Sequence, residues 1–325
     1  MAKRIILDAQ GDPSVLKLKT VELQPPGPGE VRLRQTAIGV NYMDVYQRSG
    51  AYPLDLPSGL GLEAVGVVEE VGKGAIQVNV GDRVAYAGGP PGSYTSHRNR
   101  AADSLIKVPD SLSDEQVAAV LLKGMTVEYL LERCRRVATG DWVLFYAAAG
   151  GVGLLAGQWG QALGARMIGV AGGPEKCTLA LDHGYEVVID RTSENIAERV
   201  REITSGEGVP VAFDSVGKAT FDATVGSLAR RAMFVSFGAS SGNPPDVSAK
   251  LLQQRGSLYF TRPTLADYVF SSAEDLQASA ARVFDMLKAG SIKIDIGQRY
   301  PLAEAEQAHT DLEGARTKGS TVLSP

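Results

Sequence analysis

The chain has 325 residues, 44% of them hydrophobic, and a formal net charge of -4, enough to bury more than one core, so two domains are expected. Its acidic balance, with a pI near 5.6, leaves no electrostatic footprint for nucleic acid. Two cysteines, Cys134 and Cys177, cannot build a disulfide framework, and Lys3-Arg4 lead into only Ile5-Ile6-Leu7 before Asp8, too short for a secretory segment, so free thiols and a cytoplasmic location are expected.

Residues 1 to about 110 read as mostly β. Val31–Ala37 alternates apolar and polar, as a strand with one wet face does. Gly61–Gly72 reads as a glycine-bounded strand, and Val80–Tyr86 as a turn entering another. Short strands between Gly/Pro turns suggest a partly open barrel. The stretch Asn41–Tyr52 reads as irregular and carries Tyr42, Tyr46 and Tyr52 beside Asn41 and Asp44. Its rings either pack on the surface or line a pocket for a flat aromatic ligand. Ser113 starts a helix, with Asp114 and Glu115 at the favourable end of its dipole.

From about Thr126 the period changes. Trp142–Ala147 is an apolar run short enough for one buried strand. Ala149-Gly150-Gly151-Val152-Gly153 follows as a turn, and Leu154 to Leu163 has helical spacing. Strand, glycine turn and helix make a phosphate cradle, because the first helical N–H groups lack internal partners. The fingerprint is Ala148-x-Gly150-x-x-Gly153, with alanine in place of the first glycine of G-x-G-x-x-G. A ligand-free hairpin or helix is the plainer alternative. A membrane span across the uncharged run 142–165 is disfavoured by its glycines, Gln158 and Gln161.

The alternation continues through Arg166–Ala171, a helix from Pro174 to His183, Glu186–Asp190, a helix over Thr192–Thr204, Val209–Asp214, Ala232–Phe237 and Leu258–Thr261. It predicts a parallel, doubly wound sheet with its ligand beyond the carboxyl ends of the strands. Those ends place Gly173, Gly217, Phe237, Gly238 and Ser240 as cofactor contacts, with Phe260 and Arg262 at the last strand. The second strand ends Gly169–Gly173 without the acid that binds ribose hydroxyls in NAD sites. NADPH is therefore expected, its 2′-phosphate facing Lys176 or Arg191. After a helix over Ala273–Ala289, Ile292–Ile296 reads as a strand and Leu302 to about Leu312 as a helix. This tail is expected to pack back on the N-terminal part, giving 1–124, 125–262 and 263–325 as segments.

Gly61-x-Glu63-x-x-Gly66 resembles the G-H-E-x-x-G motif of medium-chain dehydrogenases/reductases, and Gly81-Asp82-Arg83-Val84 the turn that follows it. Gly140-Asp141-x-x-Leu144, the cradle residues and Gln158 resemble the signature of the quinone oxidoreductase (ζ-crystallin-like) branch, which usually closes with a basic residue where this chain has Gln161. The resemblance covers nearly the whole chain. It implies an α/β protein in which a Rossmann domain is inserted into a GroES-like, mostly β catalytic domain, and a homodimer formed through the edge at Leu258–Thr261.

Zinc-dependent members use Cys, His and Cys. The matching positions are Asn41, Leu62 and the neighbourhood of Met125-Thr126, and a catalytic zinc needs three protein ligands. The expectation is thus metal-free reduction of a quinone by NADPH. Tyr46 and Tyr52 shape and hydrogen-bond the pocket, Asn41 and Tyr42 position substrate or nicotinamide ribose, Asp44 adds a polar contact, and Thr126 lies near the nicotinamide end. Reduction of enones or 2-alkenals is the nearest alternative. An NADPH-binding protein without turnover, crystallin-like or RNA-binding, is a third, its RNA variant disfavoured by the acidic pI.

Overall fold

In the computed structural model all residues from Met1 to Pro325 are described. The chain divides into two compact units. One comprises Met1–Gly124, Phe270–Phe284 and Ile294–Pro325; the other comprises Met125–Val269 and Asp285–Lys293. The return to the first unit thus starts at Phe270, later than the expected 263, and Asp285–Lys293 rejoins the second.

The second unit is built on six parallel strands in the order Val187–Asp190, Arg166–Ala171, Trp142–Tyr146, Val209–Asp214, Leu228–Ser236, Tyr259–Thr261. Val143, Leu144, Phe145 and Tyr146 are each at most 1% exposed, so this central strand is covered on both faces and reads as an unbroken apolar run. Strand order reverses beside it, which opens a crevice beyond its carboxyl end. The run 142–165 splits into that strand and the helix Gly151–Ala162; no helix of the chain is long and apolar enough to cross a membrane.

Ile292–Ile296 is not a strand. The strand begins at Ile296 and runs to Pro301. Lys293 N–H donates to Gln158 Oε1 at 2.7 Å, and Lys293 C=O accepts from Gln158 Nε2 at 3.2 Å. A side chain therefore satisfies the backbone where a strand partner would have.

The first unit carries a seven-stranded sheet in the order Ile296–Pro301, Ser320–Ser324, Glu30–Val40, Glu63–Val71, Arg83–Ala87, Ile106–Lys107, with His97–Ala101 also paired to Glu30–Val40. A smaller sheet joins Lys17–Val21, Ala2–Leu7 and Ser58–Gly59. Val31, Leu33, Ile38, Val68, Val84 and Tyr86 fill the core between them.

The stretch read as irregular is a helix, Tyr42–Ser49. Asp44, its third residue, accepts at Oδ2 from the N–H of the capping residue Asn41 (2.9 Å), and Gly50 ends it with φ 92°. A buried polar chain anchors it. Tyr94 O–H donates to Asp44 Oδ2, and Tyr94 Oη lies 3.0 Å from His309 Nε2. Arg48 Nε–H donates to His309 Nδ1 at 3.3 Å, and its guanidinium also pairs with Glu313. Arginine only donates, so His309 must accept at Nδ1 and carry its hydrogen on Nε2. Burial, helped by the Arg48 charge, pushes His309 down to about 3.

The sign of the resulting pH dependence is fixed. Below 6.5 the unfolded chain takes up a proton that native His309 refuses, so stability present above 6.5 is lost as pH falls towards 3. His309→Gln removes that group, and its urea midpoint should decline less steeply than the wild type's between pH 6.5 and 4.

Candidate active site

Two regions gather the expected site residues, one in each unit. In the second unit, the helix Gly151–Ala162 begins at Gly150 and has no side-chain cap. Its first N–H groups are therefore offered to an outside acceptor, at the positive end of the dipole. A Cβ on Gly153 would lie 2.2 Å from Ala147 C=O and 2.6 Å from Ala148 C=O, so only glycine lets the helix start this close to the strand. Ala147 turns the chain with φ 54°, a left-handed conformation that costs a non-glycine residue about 1 kcal/mol. This tight, uncapped turn fits a pyrophosphate.

The neighbouring strand ends interlock. A Cβ on Gly217 would stand 2.4 Å from Gly242 C=O, and one on Gly238 would stand 2.5 Å from Ser215 C=O. Ser240 N–H donates to Ser215 C=O at 3.2 Å. Asp214, fully buried, organises the first of these loops. Its Oδ1 accepts from Val216 N–H (2.7 Å) and Gly217 N–H (3.0 Å); its Oδ2 accepts from the hydroxyls of Thr220 (2.7 Å) and Thr224 (2.9 Å). Sequence reading missed Asp214, although an acid at a strand end followed by two threonines four residues apart was a usable signal. Phe237 packs its ring against Phe145 at 5.5 Å. Arg262 donates to the carbonyls of Ser236 (3.1 Å) and Gly238 (2.6 Å) and so braces the loop.

At the second strand's end, Asp190 Oδ1 accepts from Gly173 N–H (2.9 Å) and Thr192 N–H (3.0 Å), and these bonds hold its carboxyl below the usual range. That acid is committed to the turn. A Cβ on Gly172 would come within 3.1 Å of Arg191 Nε, so the guanidinium lies over this turn. Lys176 is half-buried in the first turn of the helix Pro174–Leu181. Thr126 is the one half-exposed residue in the otherwise buried run from Val117 to Leu131.

In the first unit, the helix brings the tyrosines together: Tyr42 meets Tyr46 edge-on at 5.1 Å, and Tyr46 stacks on Tyr52 at 5.4 Å. Asn41, at the helix start, donates from Nδ2 to Glu63 Oε2 at 2.9 Å. Glu63 is fully buried; its Oε1 accepts from Leu122 N–H at 2.6 Å, and Lys123 Nζ lies 3.8 Å from Oε2, an ion pair too long for a hydrogen bond. Burial raises the Glu63 carboxyl, while Lys123 and the Asn41 amide pull it back.

Two expected contacts are engaged elsewhere in the structure. Asp44, expected as a polar contact, is 0% exposed and serves its own helix and Tyr94; burial pushes it up to about 7 against those hydrogen bonds. Phe260 faces Phe234 edge-on at 5.2 Å and joins the apolar core, because its register pairs it with that residue. As for a metal, no three His, Cys, Asp or Glu side chains are grouped to ligate one, and Asn41 and Leu62 offer neither thiol nor imidazole.

Comparison with known proteins agrees with this geometry. Residues 27–130 match the alcohol dehydrogenase GroES-like domain, and residues 151–285 match the zinc-binding dehydrogenase family. A quinone oxidoreductase of Pseudomonas aeruginosa is 49% identical over all of both chains. A 2-haloacrylate reductase of a Burkholderia species is 40% identical, covering 100% of this chain and 99% of that one. The crystal structure of Escherichia coli quinone oxidoreductase complexed with NADPH superposes with a TM-score of 0.97 at 43% identity, covering 99% of this chain and 100% of that one. The chain belongs to the zinc-independent quinone oxidoreductase branch of the medium-chain dehydrogenase/reductase superfamily.

Proposed function

We propose that this chain is an NADPH-dependent quinone oxidoreductase that works by hydride transfer without a metal ion. The observation that carries the reading is the uncapped glycine turn at Gly150–Gly153, at the switch point of the parallel sheet, in a chain similar end to end to quinone oxidoreductases. The amides of Gly151, Val152 and Gly153 hold the pyrophosphate. Gly173, Gly217, Gly238 and Ser240 leave room along the strand ends, and Thr126 lies towards the nicotinamide. When bound, NADPH supplies the hydride. The residues supply position and a dry setting, which alone lower the barrier substantially. Tyr46 and Tyr52 offer flat faces and hydroxyls to a quinone, and Asn41 is held in place by Glu63.

Similarity to a 2-haloacrylate reductase favours one second reading, hydride delivery to an activated carbon–carbon double bond. Purified protein should oxidise NADPH steadily with 1,4-benzoquinone, undiminished by EDTA, and more slowly with 2-chloroacrylate. The reverse preference would transfer the assignment to the double-bond reductases.

Cofactor choice rests on the 2′-phosphate, which we assign to Lys176 and Arg191 because Asp190 is turned into its own loop. A charge-assisted hydrogen bond is worth about 1.5–3 kcal/mol. Alanine at either position should therefore raise KM for NADPH about tenfold or more and leave KM for NADH unchanged in steady-state assays.

We also propose a cytoplasmic homodimer. Tyr259–Thr261 is the unpaired edge of the parallel sheet, and Tyr259 is 60% exposed there; a two-fold axis would pair the edge with its copy. Light scattering should give twice the 34.3 kDa chain mass, and Tyr259→Lys, which puts a charge on the exposed edge, should shift it towards monomer.

A further inference from the structure

Lys123 is buried to 6% exposure, and its Nζ has no hydrogen-bond partner. It sits near the end of the helix Asp114–Glu128, in a run whose neighbours are almost all apolar and buried. A buried ammonium with three unsatisfied N–H donors is costly, and such a group in a native fold calls for an acceptor. Its one close charge is Glu63 Oε2 at 3.8 Å, the same oxygen that receives the Asn41 amide at 2.9 Å. Glu63 thus balances the charge of Lys123 without consuming its hydrogens, and it sets the ammonium beside Asn41.

A quinone is the complementary partner. Its two oxygens only accept, so its site must supply donors, and Lys123 is a group that only donates. We propose that Lys123 is a catalytic residue of this site, donating from Nζ to a quinone oxygen; this rests on the quinone reading above. As hydride adds to the quinone, two electrons and one hydrogen arrive and one oxygen is left anionic. The ammonium stabilises that oxyanion in a site of low dielectric, with Glu63 beside it as counter-charge. A proton from water then completes the hydroquinone. The four rotatable bonds of the lysine stem let Nζ reach the oxygen.

The test uses a probe that needs no turnover. 4-Nitrophenol mimics the hydroquinone oxygen and turns yellow when ionised. On the wild type its pKa should fall by about one unit or more, as beside any fixed cation. Lys123→Met should abolish the shift, and Lys123→Arg should keep part of it. Lys123→Met should also lower kcat with 1,4-benzoquinone about a hundredfold, while fluorescence titration gives an unchanged Kd for NADPH. Because Lys123→Met strands the Glu63 charge, the paired variant Glu63→Gln with Lys123→Met, which removes both charges, is measured beside it; it should fold and remain slow. Recovery of kcat in the paired variant, a nitrophenol shift retained without Lys123, or no shift in the wild type overturns the proposal. Absence of benzoquinone turnover in the wild type would instead sink the quinone reading, with the nitrophenol titration still reporting on Lys123.

Discussion

The first unit hangs on a carboxylate that touches no water. Glu63 binds the last turns of the helix Asp114–Glu128 through Leu122 N–H and the start of the helix Tyr42–Ser49 through Asn41. Removing a charge from water costs several kcal/mol, recovered only when partners saturate it. The strand Glu30–Val40 makes room for it with Gly39, where a Cβ would lie 2.3 Å from Glu63 Oε2 and 2.2 Å from Ala118 C=O. Strand, helix and cap therefore meet at one point. The position of Asn41 follows from that packing more than from its own short helix.

The second unit solves a similar problem with Asp214. There too a fully buried carboxylate is saturated, by two backbone amides and two threonine hydroxyls. It fixes the loop that carries Gly217, and that loop docks onto the one carrying Gly238 and Ser240. The glycines are then a packing requirement between adjacent strand ends as well as open space for a ligand. Each unit therefore uses a buried acid to hold backbone in a shape that local propensity would not select.

Those differences decide what the sequence made visible. The strands Arg166–Ala171 and Val209–Asp214 stand where the apolar runs put them, because a strand covered on both faces announces itself by composition. Gly150 and Gly153 were visible for the same kind of reason: a missing side chain is itself a steric signal. The helix Tyr42–Ser49 was not. Tyrosine is an indifferent helix former, eight residues are too few to be helical unaided, and the contacts that hold them come from Tyr94 and His309, distant in sequence. Ile292–Ile296 had the right alternation, but Gln158 took its hydrogen bonds. Nothing in the sequence marked Asp44 or Lys123 as buried, because charge alone does not report burial.

The commitments of these acids also bear on the direction of the chemistry. Oxidising an alcohol requires a base for its proton and an electrophile for its oxygen. Both oxygens of Glu63 and of Asp214 are engaged, Asp190 is turned into its own loop, Asp44 is sealed from solvent, and His309 is neutral with both ring nitrogens in hydrogen bonds. The groups proposed to face the quinone, the hydroxyls of Tyr46 and Tyr52 and the ammonium of Lys123, can all donate. A site with donors and no spare base suits an acceptor that is already electron-poor and gains negative charge as it reacts. That asymmetry favours reduction of quinones over oxidation of alcohols, on a scaffold that zinc-dependent alcohol dehydrogenases share.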